Sequence, residues 1–157
     1  MRLLVTSGMG FIGSNFIRQV LSDREDTYIV NLDSLSYGSN PANLRAVEKS
    51  RRYRFMKGDI NDLALVRKLA EETDVLVNFA AETHVDRSIS NPRSFHETNT
   101  AGVLNLLEAC RLHDPTFLQV STDEVYGSAA EGQTFLEQDR LDPSSPYSAS
   151  KGAGTYS

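Results

Sequence analysis

Short apolar runs alternate with amphipathic segments along most of this 157-residue chain. Residues 3–6 (Leu3, Leu4, Val5, Thr6) form an apolar run closed by Ser7 and Gly8, which predicts a buried strand. Beyond the glycines, Ile12, Phe16 and Val20 recur at helical spacing, with Ile17 and Leu21 one face over. Residues 28–32 are apolar and β-branched and predict a second strand, ended by Asp33. Residues 41–47 predict a short helix, and residues 53–56 a third strand stopped by Gly58 and Asp59. Asn61 and Asp62 offer a cap for a helix carrying Leu65, Val66 and Leu69. Residues 75–81 predict a fourth strand and residues 116–121 a fifth. The longest helix is expected from Pro92, with Asn91 as its cap, to about Leu112; Val103, Leu106, Leu107 and Cys110 form its apolar stripe. A polar stretch, residues 129–145, leads to a segment opening Ser145-Pro146-Tyr147.

Strand and helix alternating in this way predict an α/β fold: a parallel sheet covered by helices, joined by right-handed crossovers. With a glycine-rich turn after the first strand, the doubly wound, Rossmann-type dinucleotide-binding topology follows. The length suits one domain, taken as residues 1–157. No apolar run approaches the ~20 residues of a membrane span, and the apolar stretch at the N-terminus is too short for a secretory signal. The single cysteine, Cys110, has no internal partner for a disulfide and reads as a small buried hydrophobe. A cytoplasmic protein is expected. A net charge of −5 argues against a nucleic-acid or anionic-membrane surface as the main partner. It leaves phosphorylated ligands open, because backbone amides hold a phosphate without a basic patch.

Gly8-Met9-Gly10-Phe11-Ile12-Gly13 matches G-x-G-x-x-G. The pattern alone is weak, since glycines mark many tight turns. A strand before it, a helical pattern after it and the acidic Asp33 at the end of the second strand complete the dinucleotide-binding context. Glycines let backbone approach a pyrophosphate, whose charge then faces the amides at a helix N-terminus. Asp33 is expected to accept both ribose hydroxyls and to repel a 2′-phosphate, which favours NAD over NADP. No metal site is expected.

Tyr147 and Lys151 are four residues apart, so on a helix they share a face. An ammonium near a phenol favours the phenolate, and the expectation is a tyrosine pKa pulled down toward working pH. Taken alone, such a pair is also common on ordinary surfaces. Asp123 and Glu124 follow the fifth strand, at the sheet edge where ligands sit in such folds. Two carboxyls there could divide acid and base roles, or form a solvated loop pair. Spacing assigns neither role.

With Ser121-Thr122-Asp123-Glu124-Val125-Tyr126-Gly127 and Tyr147-Ser148-Ala149-Ser150-Lys151 added to the glycine turn, the chain resembles the extended short-chain dehydrogenase/reductase family of NAD-dependent epimerases and dehydratases. Gly58-Asp59-Ile60 and residues 80–88, from Ala80-Ala81-Glu82-Thr83-His84 to Asp86-Arg87-Ser88, carry the same likeness. Within the family it is most similar to the dehydratases acting on dTDP-glucose, for which Thr122-Asp123-Glu124 is the narrowest signal. The resemblance implies oxidation at C4 of the sugar, loss of water across C5–C6 and return of the hydride to C6. It gives Glu124 as base, Asp123 as acid, Tyr147 with Lys151 as the redox base pair, and Thr122 and Thr83 as substrate contacts.

The resemblance also implies that Gly8, Gly10, Phe11, Ile12, Gly13, Asp33, Ser34, Leu35, Ser36, Asp59, Ile60, Phe79, Ala80, Ala81, Thr83, Thr98, Tyr147 and Lys151 contact the cofactor, NAD. Phe79 and Ile60 are expected to pack as well, and His84 reads as structural. A sister UDP-sugar epimerase or decarboxylase, or a non-catalytic NAD-binding fragment, are the alternatives. Family members are homodimers through the long helix and the helix carrying Tyr147. Two departures stand out. Ser7 occupies a place the family gives to glycine and is expected to crowd the turn. The chain also stops where the family continues into a substrate domain, so a fragment with little activity alone is expected. Its ending, Gly152-Ala153-Gly154-Thr155-Tyr156-Ser157, reads poorly as helix, because each glycine costs ~1 kcal/mol there.

Overall fold

The computed structural model describes residues 1–155 of the chain; Tyr156 and Ser157, part of the tail discussed above, lie outside the described residues. One domain is expected from the length, and the chain divides into two compact units, Met1–Ala80 with Asn105–Val120, and Ala81–Leu104 with Ser121–Ser157.

The first unit is a five-stranded parallel sheet: β1 (Arg2–Thr6), β2 (Tyr28–Asp33), β3 (Tyr53–Lys57), β4 (Val75–Asn78) and β5 (Thr116–Gln119), in the order β3-β2-β1-β4-β5. Both neighbours of β1 pair in parallel, with Leu4 beside Val30 on one side and Leu76 on the other. Side chains alternate across the sheet, so the two faces gather separate cores. Leu3, Val5, Ile29 and Val77 pack with Ile17 and Leu21 of α1 (Phe11–Asp23) and with Leu44. Leu4, Leu32 and Leu76 pack with Val66 and Ala70 of α2 (Leu63–Ala70), and with Leu106 and Ala109. Burial on both faces explains why these strands read as continuous apolar runs.

Local chemistry sets the ends of the elements. Asp62 caps α2 by accepting from the Leu65 N–H at 3.0 Å, as expected, and Arg67 and Lys68 lie in its last turn, at the negative end of the helix dipole. Residues 41–47 yield only a 3₁₀ turn, Pro41–Leu44, capped by Asn40. β4 ends at Asn78 rather than at residue 81 because side chains take over the ladder. Thr6 Oγ1 accepts the N–H groups of Phe79 and Ala80, each at 3.1 Å.

The second unit is helical: α3 (Val85–Ser90), α4 (Pro92–His96), the start of α5 (Val103–His113), a 3₁₀ turn at Asp123–Tyr126 and α6 (Pro146–Thr155). Sequence periodicity gave no sign of the six-residue α3. The single long helix expected from Pro92 is interrupted by a π-helical turn, Glu97–Gly102, and Asn91 makes no side-chain cap. The interruption has a visible cause. Asn99, buried in that turn, accepts the Glu82 N–H and donates to the Glu82 carbonyl, each at 2.9 Å, and donates to Ser150 Oγ at 3.0 Å. A widened turn aims that amide sideways out of the helix ladder.

The glycine-rich tail is helical against expectation, since α6 continues through Gly152 and Gly154 to Thr155. Tertiary packing overrides propensity here. A Cβ on Gly154 would lie 2.7 Å from the Asn99 carbonyl oxygen, so only glycine lets α6 approach the π turn this closely. Gly152 has no such neighbour, its nearest atom being on Leu141 at 3.9 Å. Gly154→Ala should therefore destabilise the protein by about 2 kcal/mol through overpacking. Gly152→Ala should raise stability by up to about 1 kcal/mol through helix propensity. Paired denaturant midpoints check both, and equal effects would contradict the packing argument.

Candidate active site

In the first unit, the turn between β1 and α1 is suspended from the carboxyl end of β2. Asn31 Oδ1 accepts the Gly8 N–H at 2.9 Å, and its Nδ2 donates to the Tyr53 hydroxyl at 2.9 Å. Asp33 Oδ2 accepts the Met9 N–H, and Asp33 Oδ1 accepts the Leu35 N–H and the Ser39 hydroxyl, all at 2.8 Å. Both acids and amides here are buried, Asp33 at 2% and Asn31 at 0%. A carboxylate offers about four lone-pair directions, so Asp33 has roughly one left, on Oδ2. It thus organises the turn first, and has less capacity for ribose than two free oxygens would give.

Gly8 and Gly13 are required by close approach. A Cβ on Gly8 would meet Asn31 and Ile17, and one on Gly13 would lie 2.6 Å from the Ser7 carbonyl oxygen. Gly10 is the N-cap of α1 and provides no side-chain hydrogen bond, and the first turn carries no acid. The first-turn N–H groups therefore have no capping side chain, and they suit a bound anion. Phe11 and Ile12 are 81% and 62% exposed in that same turn. Ser7, expected to crowd the turn, is strained in its backbone. It adopts φ +50, pinned by Ser7 N–H to Leu32 O at 2.8 Å and by Gly10 N–H to Ser7 O at 3.1 Å.

The other cofactor candidates of this unit are unequal. Ser34 is half-buried, and Leu35 and Ser36 are exposed, with Leu35 at φ +58. Asp59 is exposed and accepts from the Asn61 N–H at 2.9 Å. Ile60 and Ala80 belong to the core, and Phe79 packs its ring on Phe16 at 5.3 Å.

In the second unit, the proposed chemical groups converge. Tyr147 and Lys151 of α6 are both buried, at 7% and 5% exposure. Thr122 caps the 3₁₀ turn Asp123–Tyr126, accepting the Glu124 N–H at 3.3 Å and donating to Asp123 Oδ1 at 3.3 Å. The Thr122 hydroxyl acts on the Tyr147 phenol in the sense that favours its ionised form. Asp123 and Glu124 are exposed, Thr83 and His84 are exposed, and Ala81 and Thr98 are half-buried. The Phe95 ring meets Tyr147 edge-on, at 6.4 Å between centroids.

The expected downward shift of the phenol is not present. Burial raises the Tyr147 pKa above its ordinary 10.0, the Thr122 hydroxyl opposes this in part, and the negative charges of Glu124 and Asp123 raise it further. Burial also drives Lys151 down, from 10.5 to about 8. Desolvation penalises the charged form of both groups, and a sequence carries no information on it. Sequence pattern assigns no role in the site to Asn31, Ser39, Ser88 or Asn99. Asn31 had a signal: an amide in the middle of an apolar strand must find a buried partner.

A family model described as GDP-mannose 4,6 dehydratase matches residues 4–157. The low-salt glycan biosynthesis protein Agl12 of Haloferax volcanii is 49% identical over 152 residues, 96% of this chain and 48% of that protein. A dTDP-glucose 4,6-dehydratase of Xanthomonas campestris is 47% identical over 165 residues, 98% of this chain and 46% of that protein. Among solved structures, DesIV, a dTDP-glucose 4,6-dehydratase from Streptomyces venezuelae with NAD bound, superposes with a TM-score of 0.94 at 45% identity, covering 99% of this chain and 50% of that one. The chain thus spans about half the length of the relatives it matches.

The shift of Lys151 has a testable consequence. Between pH 8 and 10.5 the unfolded chain holds a proton that the folded chain has released, so stability should rise with pH across that window. The rise is on the order of 3 kcal/mol. Tyr147 acts oppositely: above pH 10.0 the unfolded phenol ionises first, and stability falls. Lys151→Met should abolish the rise in denaturant midpoint between pH 8 and 10 while leaving the fall above it; an unaltered rise would refute the assignment.

Proposed function

The chain belongs to the GDP-mannose 4,6 dehydratase family, and from that membership we propose that the protein carrying it is an NAD-dependent 4,6-dehydratase of dTDP-glucose. One observation carries the reading: α6, which bears Tyr147 and Lys151, packs on the short turn that presents Asp123 and Glu124 and is capped by Thr122. The acid/base pair and the phenol therefore belong to one local assembly.

NAD, when bound, supplies a hydride acceptor that is regenerated within the same cycle. The glycine turn suits its pyrophosphate, because α1 begins without a capping side chain or an acid. The Asp33 charge would oppose the extra phosphate of NADP. In the second unit, Tyr147 takes the proton of the sugar C4 hydroxyl as C4 is oxidised. The resulting ketone acidifies the neighbouring C5–H, and Glu124 removes that proton. Asp123 gives a proton to the departing C6 hydroxyl, and water leaves; C6 would then take back the hydride while Glu124 returns its proton to C5, which completes the 4-keto-6-deoxy sugar. Thr122 and Thr83 contact the sugar.

The raised pKa of Tyr147 keeps the phenol protonated in the ligand-free chain. The phenol proton then has to be lost to solvent as ligands bind, before Tyr147 can act as a base. A homodimer is also proposed, supported by Ile89 and Leu104, which remain 67% and 53% exposed on the helices of the second unit.

Incubating the protein with dTDP-glucose and following the sugar by NMR tests this. The expected product is dTDP-4-keto-6-deoxyglucose, and Tyr147→Phe and Glu124→Gln should each lower turnover at least about 100-fold. Epimerised UDP-sugar with no dehydration would overturn the proposal in favour of a sister activity.

A further inference from the structure

The first turn of α6 has an incomplete set of local caps. Pro146 opens the helix and has no N–H to satisfy. Ser145 Oγ accepts the Ser148 N–H at 3.0 Å, and the Ala149 N–H bonds the Ser145 carbonyl at 2.9 Å. The Tyr147 N–H is left, and its partner comes from another element: Ser88 Oγ of α3 accepts it at 3.1 Å. Ser88 is 0% exposed, and its own proton is committed to the Val85 carbonyl at 2.6 Å. A hydroxyl has one proton, so that commitment turns a lone pair toward Tyr147.

We propose that Ser88 is a positioning residue for the reaction: by completing the first turn of α6 from α3, it fixes the backbone of Tyr147 and so the place of its phenol. The inference rests on Tyr147 being the base assigned above. Without the Ser88 acceptor, the Tyr147 N–H is a buried donor with no partner, and the first turn must shift to find one. The phenol then moves relative to Thr122, Asp123 and Glu124, and a displacement near 1 Å is enough to cost about 100-fold in rate.

The test uses the NAD-loaded protein that carries this chain. Ser88→Ala should lower kcat about 10- to 100-fold with little change in KM or in NAD affinity. It should also displace the limb of the pH–rate profile that Tyr147→Phe removes. Ser88→Thr, which keeps the hydroxyl, should recover most of the rate. Ser88→Cys preserves the volume and weakens the acceptor, and it carries the same expectation should Ser88→Ala fail to fold. An unchanged kcat and pH profile in the foldable variant, with Tyr147→Phe inactive, would overturn the positioning role alone. Full activity in Tyr147→Phe would instead remove the base assignment on which it rests.

Discussion

A buried polar group must find a partner inside the protein, and that requirement shapes the carboxyl edge of the sheet. Thr6, Asn31, Asp33 and Asn78 all lie at 2% exposure or less within otherwise apolar strands. They satisfy one another and the backbone: Thr6 bonds Asn78, Asn78 donates to Gln119 at 2.8 Å, and Asn31 and Asp33 hold the N–H groups of Gly8 and Met9. No buried side-chain polar atom among the described residues lacks a partner. Because leaving one unpaired costs about 1–3 kcal/mol, these contacts fix where each strand stops and how the glycine turn hangs. The open first turn of α1 follows from that suspension.

The second unit meets the same requirement with one amide. Asn99 leaves the regular helix ladder in a π turn and joins the backbone of Glu82 to Ser150. Ser150 Oγ donates in turn to the Tyr147 carbonyl at 2.7 Å. Gly154 permits the close contact this needs, and Ser88 finishes the helix that carries Tyr147 and Lys151. Tyr147 and Lys151 are thus held by packing and backbone bonds, while the Asp123 and Glu124 carboxylates stay exposed. Such preorganisation suits acid/base work, in which small displacements are expensive.

Electrostatics at Tyr147 and Lys151 illustrates how burial can reverse a spacing argument. Four-residue spacing suggests an ammonium stabilising a phenolate. Enclosure of both side chains favours the neutral form of each, and two neighbouring carboxylates act in the same sense on the phenol. The free chain accordingly does not hold a ready phenolate.

The sequence by itself determined the alternation of strands and helices, the parallel sheet, the glycine turn with its acidic partner Asp33, and the residue types of the proposed acid/base set. These are legible because strand and helix periodicity and glycine placement are local properties of the chain. Tertiary structure alone decided the rest. It broke the long helix at Glu97–Gly102, carried α6 through two glycines, ended β4 at Asn78, took up most of the acceptor capacity of Asp33 and set the direction of both pKa shifts. Each of these depends on which distant residue arrives beside a backbone group or a charge, and on how much water is excluded there. Local pattern carries neither quantity.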